Sequence, residues 1–449
     1  MTTRTPQGAI AWSISLVTFP FIALPAYLVL GRNKFEGMSQ AFQERQEEIE
    51  QIIADARAQL EPWQIPPERE PSWNRAIVRL SGRELTRGNR VELLVDGEAT
   101  FASILQGIAA AEEYVLFQFY MIHDDGLGRR AQEALIERAR AGVRVHVLYD
   151  EVGSGGLSGD FIRELKDAGV QVSAFRPTRG IRNRFQLNFR NHRKIVIVDG
   201  KVGWVGGLNV GDEYLGLDPG FTPWRDTHLR IEGPAVQQLQ SVSLTDWYWA
   251  TRSIPALNWS PLAADDPGVL AMVLPSGPVG SFETASLYFV SALNAATTRI
   301  WLSAPYFVPD DAVMKSLKLA ALRGVDVRII TTGKGDSLPV QLAGYYFIQQ
   351  LANLHISFYA YKPGFLHEKV MLIDDSISVV GSHNFDNRSF RLNFEVAALI
   401  EDQPFAGQME AMFECDFQHA ELIDIESLED RPFWWQLGVR LARLAAPVL

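Results

Sequence analysis

The chain opens on an uncharged run of 22 residues, Ala9–Leu30. About 20 apolar residues cross a ~30 Å hydrocarbon core as one helix. Trp12 and Tyr27 lie near the two ends, where amphipathic rings favour the membrane–water interface. Pro20 and Pro25 would kink such a helix, so a bent span and a re-entrant hairpin both fit. A cleaved signal peptide fits less well, because the run is long for an h-region and no Ala-x-Ala site follows before Arg32. Residues 36–60 then turn polar, rich in Gln, Glu and Ala, and predict an exposed spacer helix. Pro62, Pro66, Pro67 and Pro71 break it into a linker. From about residue 85 the pattern changes to short, uninterrupted apolar runs separated by amphipathic stretches. The runs read as strands buried on both faces and the stretches as helices lying over them.

That second pattern occurs twice. Tyr114–Tyr120 matches Ile300–Tyr306 as a buried strand. Each is followed by a helical stretch rich in Ala, Leu and Arg, then a glycine and a second strand, 142–150 and 324–330. The stretch 191–209 then aligns with 366–384 at a constant offset of 175 residues. Strand–helix–strand order predicts an α/β fold with two similar domains, each a mixed sheet flanked by helices. The domains are placed at 85–255 and 279–449, joined by a Pro-rich linker at 256–278. A membrane segment at 1–35 and a helical spacer with linker at 36–84 precede them.

Composition narrows the function classes. Hydrophobic residues at 47% and charged residues at 21% exclude wholesale disorder. One cysteine, Cys415, excludes a disulfide framework and a Cys-based zinc or iron–sulfur site. A formal net charge of −11 counts against a protein whose main task is to bind nucleic-acid phosphates. The one basic concentration comprises Arg176, Arg179, Arg182, Arg184, Arg190, Arg193 and Lys194, with no acid between them and Phe185 and Phe189 interleaved. It suits a nucleic-acid groove or, behind a membrane segment, anionic lipid headgroups. Arg32 and Lys34 outnumber Arg4 across the apolar run, which by the positive-inside rule places the bulk of the chain in the cytoplasm.

Each repeat carries His-x-Lys-x-x-x-x-Asp: His192, Lys194 and Asp199, then His367, Lys369 and Asp374. Gly206 and Asn209, and Gly381 and Asn384, follow at equal spacing. In a strand, residues i and i+2 share a face, so each histidine points with its lysine. Two such faces joined across a pseudo-twofold make one site of two imidazoles, two ammoniums and two amides. Lys and Asn donors neutralise a phosphoryl group without a metal. One neutral histidine can attack phosphorus while the other, protonated, donates to the leaving alkoxide. A lone histidine of this kind would be read as a core residue; the paired set argues against that. His123, His146, His228, His355, His383 and His419 show no metal-ligand spacing and read as structural, so no metal is expected.

The duplicated motif resembles the phospholipase D superfamily over nearly the whole chain from about residue 85. Finer strings resemble the cardiolipin synthases: 189–194, 150–154, 304–310, 364–367 and 387–395, with the anchor ending at Arg32 and the C-terminal stretch 440–449. The resemblance implies a membrane-bound phosphatidyltransferase that needs no cofactor. One histidine displaces glycerol from phosphatidylglycerol, and a second phosphatidylglycerol takes the phosphatidyl group to give cardiolipin. By resemblance His192 and His367 are nucleophile and acid/base, with His192 attacking, while Lys194, Lys369, Asn209 and Asn384 hold the phosphate. Asp199 and Asp374 complete the catalytic motif as structural members. Asp226 and Glu395, placed alike after the two histidines, each orient the imidazole of their own repeat. The implied partners are anionic phospholipid and the inner membrane of a bacterium, without nucleic acid. Synthases of this type often carry two N-terminal membrane segments, where one is visible here. The rival readings are a phospholipase D forming phosphatidic acid, a nuclease on the same fold, and a non-catalytic membrane scaffold. Two complete motifs argue against the scaffold. Phe433, Trp434 and Trp435, followed by Arg440 and Arg443, either lie at the membrane interface or pack on the domain.

Overall fold

A computed structural model describes residues 6–31, 46–66, 73–176, 188–279, 282–335, 337–351 and 354–446. Arg4, Arg32, Lys34, Pro67, Pro71, Arg179, Arg182, Arg184 and Phe185, used in the reading above, lie outside them.

One continuous mixed sheet runs through both halves of the molecule. From its first-half edge the strands are Gln171–Phe175, Arg144–Asp150, Tyr114–Phe119, Ile195–Val198, Val202–Gly206, Thr227–Glu232 and Thr86–Val95. The second half repeats that order in reverse: Val269–Ser276, Asn393–Glu401, Ile377–Gly381, Val370–Ile373, Arg299–Ser303, Asp326–Thr332 and Ser357–Tyr361. The short Ala420–Leu422 strand closes the second edge. Ile195–Val198 and Val370–Ile373 are buried at every residue, as their unbroken apolar runs require in a sheet covered on both faces.

The halves join where Thr86–Val95 pairs antiparallel with Val269–Ser276. This moves a boundary. Residues 269–276, assigned to the 256–278 linker by their prolines, form the first strand of the second half. The register breaks between Thr86 and Asn89, and side chains bridge the gap: Thr86 Oγ1 donates to Ala271 O at 3.0 Å and Asn89 Nδ2 to Val269 O at 3.1 Å.

The N-terminal run also differs from a single span. It forms two helices, Pro6–Thr18 and Pro20–Leu30, that fold back on each other with the Trp12 and Tyr27 rings 5.1 Å apart. Pro20 sits at the start of the second helix and Phe19 before it is non-helical, since a following proline disfavours the helical region. No helix among the described residues is long and apolar enough to cross a membrane. The spacer is less free than its polarity suggests. In the Gln46–Leu60 helix, Ile49, Ala56 and Leu60 are buried. The Asn74–Ser81 helix docks on the second half, with Ile77 fully buried in its core and Ser291 Oγ donating to Trp73 O at 2.9 Å. At the C-terminus the Phe433–Ala445 helix packs on the domain along one side only. Trp435 packs on Tyr345 at 5.4 Å, while Phe433, Trp434, Leu441 and Leu444 stay exposed.

Candidate functional site

Two short parallel pairings between the halves build the site. The Arg190–Asn191 strand lies beside the start of Asn393–Glu401, and His192 N continues that ladder to Phe394 O at 2.9 Å. Phe365–Leu366 lies beside Trp224–Arg225, and His367 N donates to Arg225 O at 2.8 Å. Each histidine therefore enters on backbone held by the opposite half. The carboxylate next in that opposite strand is the one it meets. His192 Nδ1 lies 3.0 Å from Glu395 Oε2, and His367 Nδ1 lies 2.8 Å from Asp226 Oδ2. This corrects the expected pairing: Asp226 and Glu395 do bond the histidines, but each carboxylate is exchanged to the other repeat's imidazole.

With each Nδ1 engaged, Nε2 is the nitrogen left for chemistry. Burial pushes both imidazoles below the usual histidine range, and for His367, with Lys369 adding to it, to about 3. Burial opposes ionisation of Glu395, yet His192, by hydrogen bond and by its charge when protonated, with His383 and Lys194 holds it at about 2. Asp226 is lowered too, with Lys369 and His367 outweighing burial. The carboxylates thus favour the charged form of the imidazoles while burial opposes it. An anion entering between them raises the imidazoles, which lets one of them carry a proton.

Lys194 and Lys369 are buried beside their histidines, and burial lowers both, Lys194 to about 7. Lys369 lowers Lys194 further, as one ammonium does to another in one cleft. Lys369 Nζ reaches Asp226 Oδ2 at 3.6 Å, and Lys194 Nζ donates to His192 O at 2.6 Å. The two amides differ. Asn209 donates to Tyr214 Oη at 2.8 Å and accepts from Met121 N at 3.3 Å, whereas Asn384 Oδ1 is buried with no protein partner among the described residues. Asp199 and Asp374 stand away from this chemistry. Asp199 accepts from the backbone N–H groups of Glu112, Glu113 and Tyr114, and Asp374 from those of Thr297, Thr298 and Arg299. Each pins the turn that starts a buried strand.

Several neighbours were not foreseen. Ser382 Oγ donates to Glu395 Oε2 at 2.5 Å and Asn393 Nδ2 to Oε1 at 3.1 Å. The Asn-x-Glu spacing along one strand face carried that signal. In the first repeat Gly207 replaces Ser382, because a Cβ there would stand 2.0 Å from Asp226 Oδ1. The variable residue inside each motif is also engaged. Arg193 pairs with Asp246 at 2.6 Å, and Glu368 pairs with Arg225 at 2.8 Å, which Asp416 clamps through two further bonds of 2.8 Å. Arg193 is therefore a buried structural cation, not part of an open basic patch. Arg176 pairs with Glu151 at 3.2 Å. His123, read as structural, comes together with Asp125 and Glu213, their ligand-type atoms within 4.8 Å of one another. These groups already serve the fold: Asp125 caps the Gly126–Arg140 helix and accepts from Asp212 N, and Glu213 bonds His123.

The duplicated half, with its exchanged histidine–carboxylate pairs, defines a phospholipase D-like class. The phospholipase D-like domain of cardiolipin synthases matches residues 104–241 and 289–417, and the chain belongs to that family. It is 47% identical to cardiolipin synthase A of Pseudomonas fluorescens and 46% identical to that of Pseudomonas entomophila. Both matches span 100% of this chain and 94% of the relative. Among solved structures, a phosphatidylserine synthase of Haemophilus influenzae is similar in fold, with a TM-score of 0.65 at 13% identity over 84% of this chain and 100% of that one.

Proposed function

We propose that this chain is a cardiolipin synthase that moves a phosphatidyl group between two phosphatidylglycerol molecules. The observation that carries the reading is the pair of exchanged contacts, His192 to Glu395 and His367 to Asp226, set among two buried lysines. One Nε2 attacks the phosphorus of the first lipid while the other imidazole, protonated, gives its proton to the departing glycerol oxygen. The lysines and Asn384 take up the charge that develops on the phosphoryl oxygens. The second imidazole, now neutral, takes the proton of the acceptor hydroxyl as that oxygen displaces the phosphohistidine. His192 is the proposed nucleophile.

The helical hairpin is the proposed membrane attachment. Its arms of 13 and 11 residues span about 20 and 16 Å at 1.5 Å per residue, close to one leaflet. Val17 and Phe21 at its tip are 82% and 93% exposed, a costly arrangement in water and a favourable one in lipid. Attachment to the cytoplasmic face of a bacterial inner membrane fits such an insertion.

Purified enzyme in phosphatidylglycerol vesicles should yield cardiolipin and glycerol in equal amounts. His192→Ala and His367→Ala should each abolish both products, and acid-stabilised trapping should place phosphate on His192. Phosphatidic acid as the main product would replace this reading with hydrolysis, and cleavage of DNA alone would replace it with a nuclease.

A further inference from the structure

The chain around His192 alternates. Asn191 and Arg193 turn to one side, where they meet Asp246 at 2.9 and 2.6 Å. Arg190, His192 and Lys194 turn to the other, the i, i+2 face of an extended strand. Tyr120 lies on that second side, its ring 4.8 Å from the His192 ring and 5.4 Å from Lys194 Nζ. Arg388 arrives from the second half. Its guanidinium donates to Asn188 Oδ1 at 2.9 Å and to Asn188 O at 2.8 Å, which fixes it two residues before Arg190. Arg190 donates to Phe189 O at 2.8 Å, so the two guanidiniums sit on the carbonyls of adjacent residues, and Arg190 adds to the effect of burial in lowering Arg388. Both residues are half-buried.

We propose that Arg190 and Arg388 form a second phosphate subsite, which holds the acceptor lipid's own phosphodiester while His192 holds the transferred one. Two guanidiniums side by side repel, and a phosphate between them converts that repulsion into attraction. Their planar donor forks match phosphate oxygens. The spacing fits the product. The Cα atoms of Arg190 and His192 are about 7 Å apart along a strand rising ~3.3 Å per residue. The two phosphates of cardiolipin are joined through six single bonds of ~1.5 Å, which extend to about 7 Å. Only an acceptor that carries a phosphate can fill both places. Water and glycerol fill one. In the transfer step the acceptor hydroxyl forms a P–O bond as the P–N bond to histidine breaks, and its proton passes to the other imidazole. The subsite fixes that hydroxyl in line, and so favours a phospholipid acceptor over water.

This inference rests on the phosphatidyl-transfer reading, and a two-acceptor assay separates their failures. Phosphatidylglycerol vesicles are supplied with labelled glycerol. The enzyme then makes cardiolipin from the lipid acceptor and labelled phosphatidylglycerol from the phosphate-free one. Both products come from one intermediate, so their ratio is independent of how much enzyme is folded. In Arg190→Gln and in Arg388→Gln the ratio of cardiolipin to labelled lipid should fall about tenfold or more, the loss of one charge-assisted contact. Arg388→Lys should restore part of it. An unchanged ratio in both Gln variants overturns the subsite, whatever happens to total turnover. Native enzyme that exchanges glycerol yet makes no cardiolipin overturns the transfer reading itself.

Discussion

If the carboxylates are exchanged between the halves, Asp226 must couple energetically to His367 and not to His192. The perturbations are Asp226→Asn, His367→Ala and His192→Ala, singly and in pairs. Asp226, itself fully buried, accepts from Nδ1 of the half-buried His367 at 2.8 Å, a hydrogen bond to a charged group worth about 1.5–3 kcal/mol. The Asp226–His367 cycle should therefore give a coupling of that size. The Asp226–His192 cycle should be additive within about 0.5 kcal/mol. Unfolding entropy of about 2.1 cal/mol/K per residue over 449 residues is about 0.9 kcal/mol/K, so the expected non-additivity is about 2–3 °C in Tm. Thermal denaturation of the detergent-solubilised full chain measures it. Glu395→Gln should give the reciprocal pattern with His192, from the 3.0 Å contact. Coupling of Asp226 to His192, its own repeat's histidine, would refute the exchange.

Burial lowers His146 to about 4, so below its unfolded value near 6.5 the unfolded chain takes up a proton that the folded chain refuses. Stability is lost on acidification at up to about 1.4 kcal/mol per pH unit from this group. His146→Phe, which keeps a ring against Trp247, should make Tm fall less between pH 6.5 and 4.5 than in the native chain; identical slopes would count against it. Deletion of residues 1–31 should leave a cooperative melt in detergent and weaken flotation with vesicles, short of abolishing it because Phe433, Trp434, Leu441 and Leu444 remain exposed. Loss of cooperative unfolding would mean the hairpin belongs to the core.

The features legible in the sequence are those whose physics is local. An i, i+2 pair on a strand and an unbroken apolar run do not depend on distant chain, so His192 with Lys194, His367 with Lys369 and the buried strands around them were found directly. The structural part of Asp199 and Asp374 came from resemblance, and their backbone contacts account for it. What depended on long-range pairing was missed. The exchange of Asp226 and Glu395 follows from two-residue strands that cross between halves, pairings too short to leave a periodic signal. The strand at 269–276 was hidden because prolines flank and enter it, and Pro275 still holds its place opposite Val396. Arg193 looked like part of a basic surface because charge counts carry no direction; its partner, Asp246, is 53 residues away.

Exchange also explains why the duplication has to stay whole. Neither half alone supplies the carboxylate that orients its imidazole, since each Nδ1–carboxylate bond and each histidine backbone N–H is satisfied by the other half. The halves are further tied by Arg225 reaching Glu368 and Asp416, and by Arg193 donating to Glu395 O at 3.0 Å. Within that symmetry the reaction needs two unequal roles, and the halves differ where the roles would be set. Glu395 shares its charge with Ser382 and Asn393, while Asp226 faces Lys369 and has Gly207 where a serine cannot fit. Asn209 is tied by Tyr214 and Met121, while Asn384 keeps a buried acceptor without a protein partner among the described residues. Two histidines in identical surroundings could share one proton and so divide attack from proton donation, but nothing would fix which of them attacks. The departures from symmetry are therefore the part of the site that sets which imidazole does which.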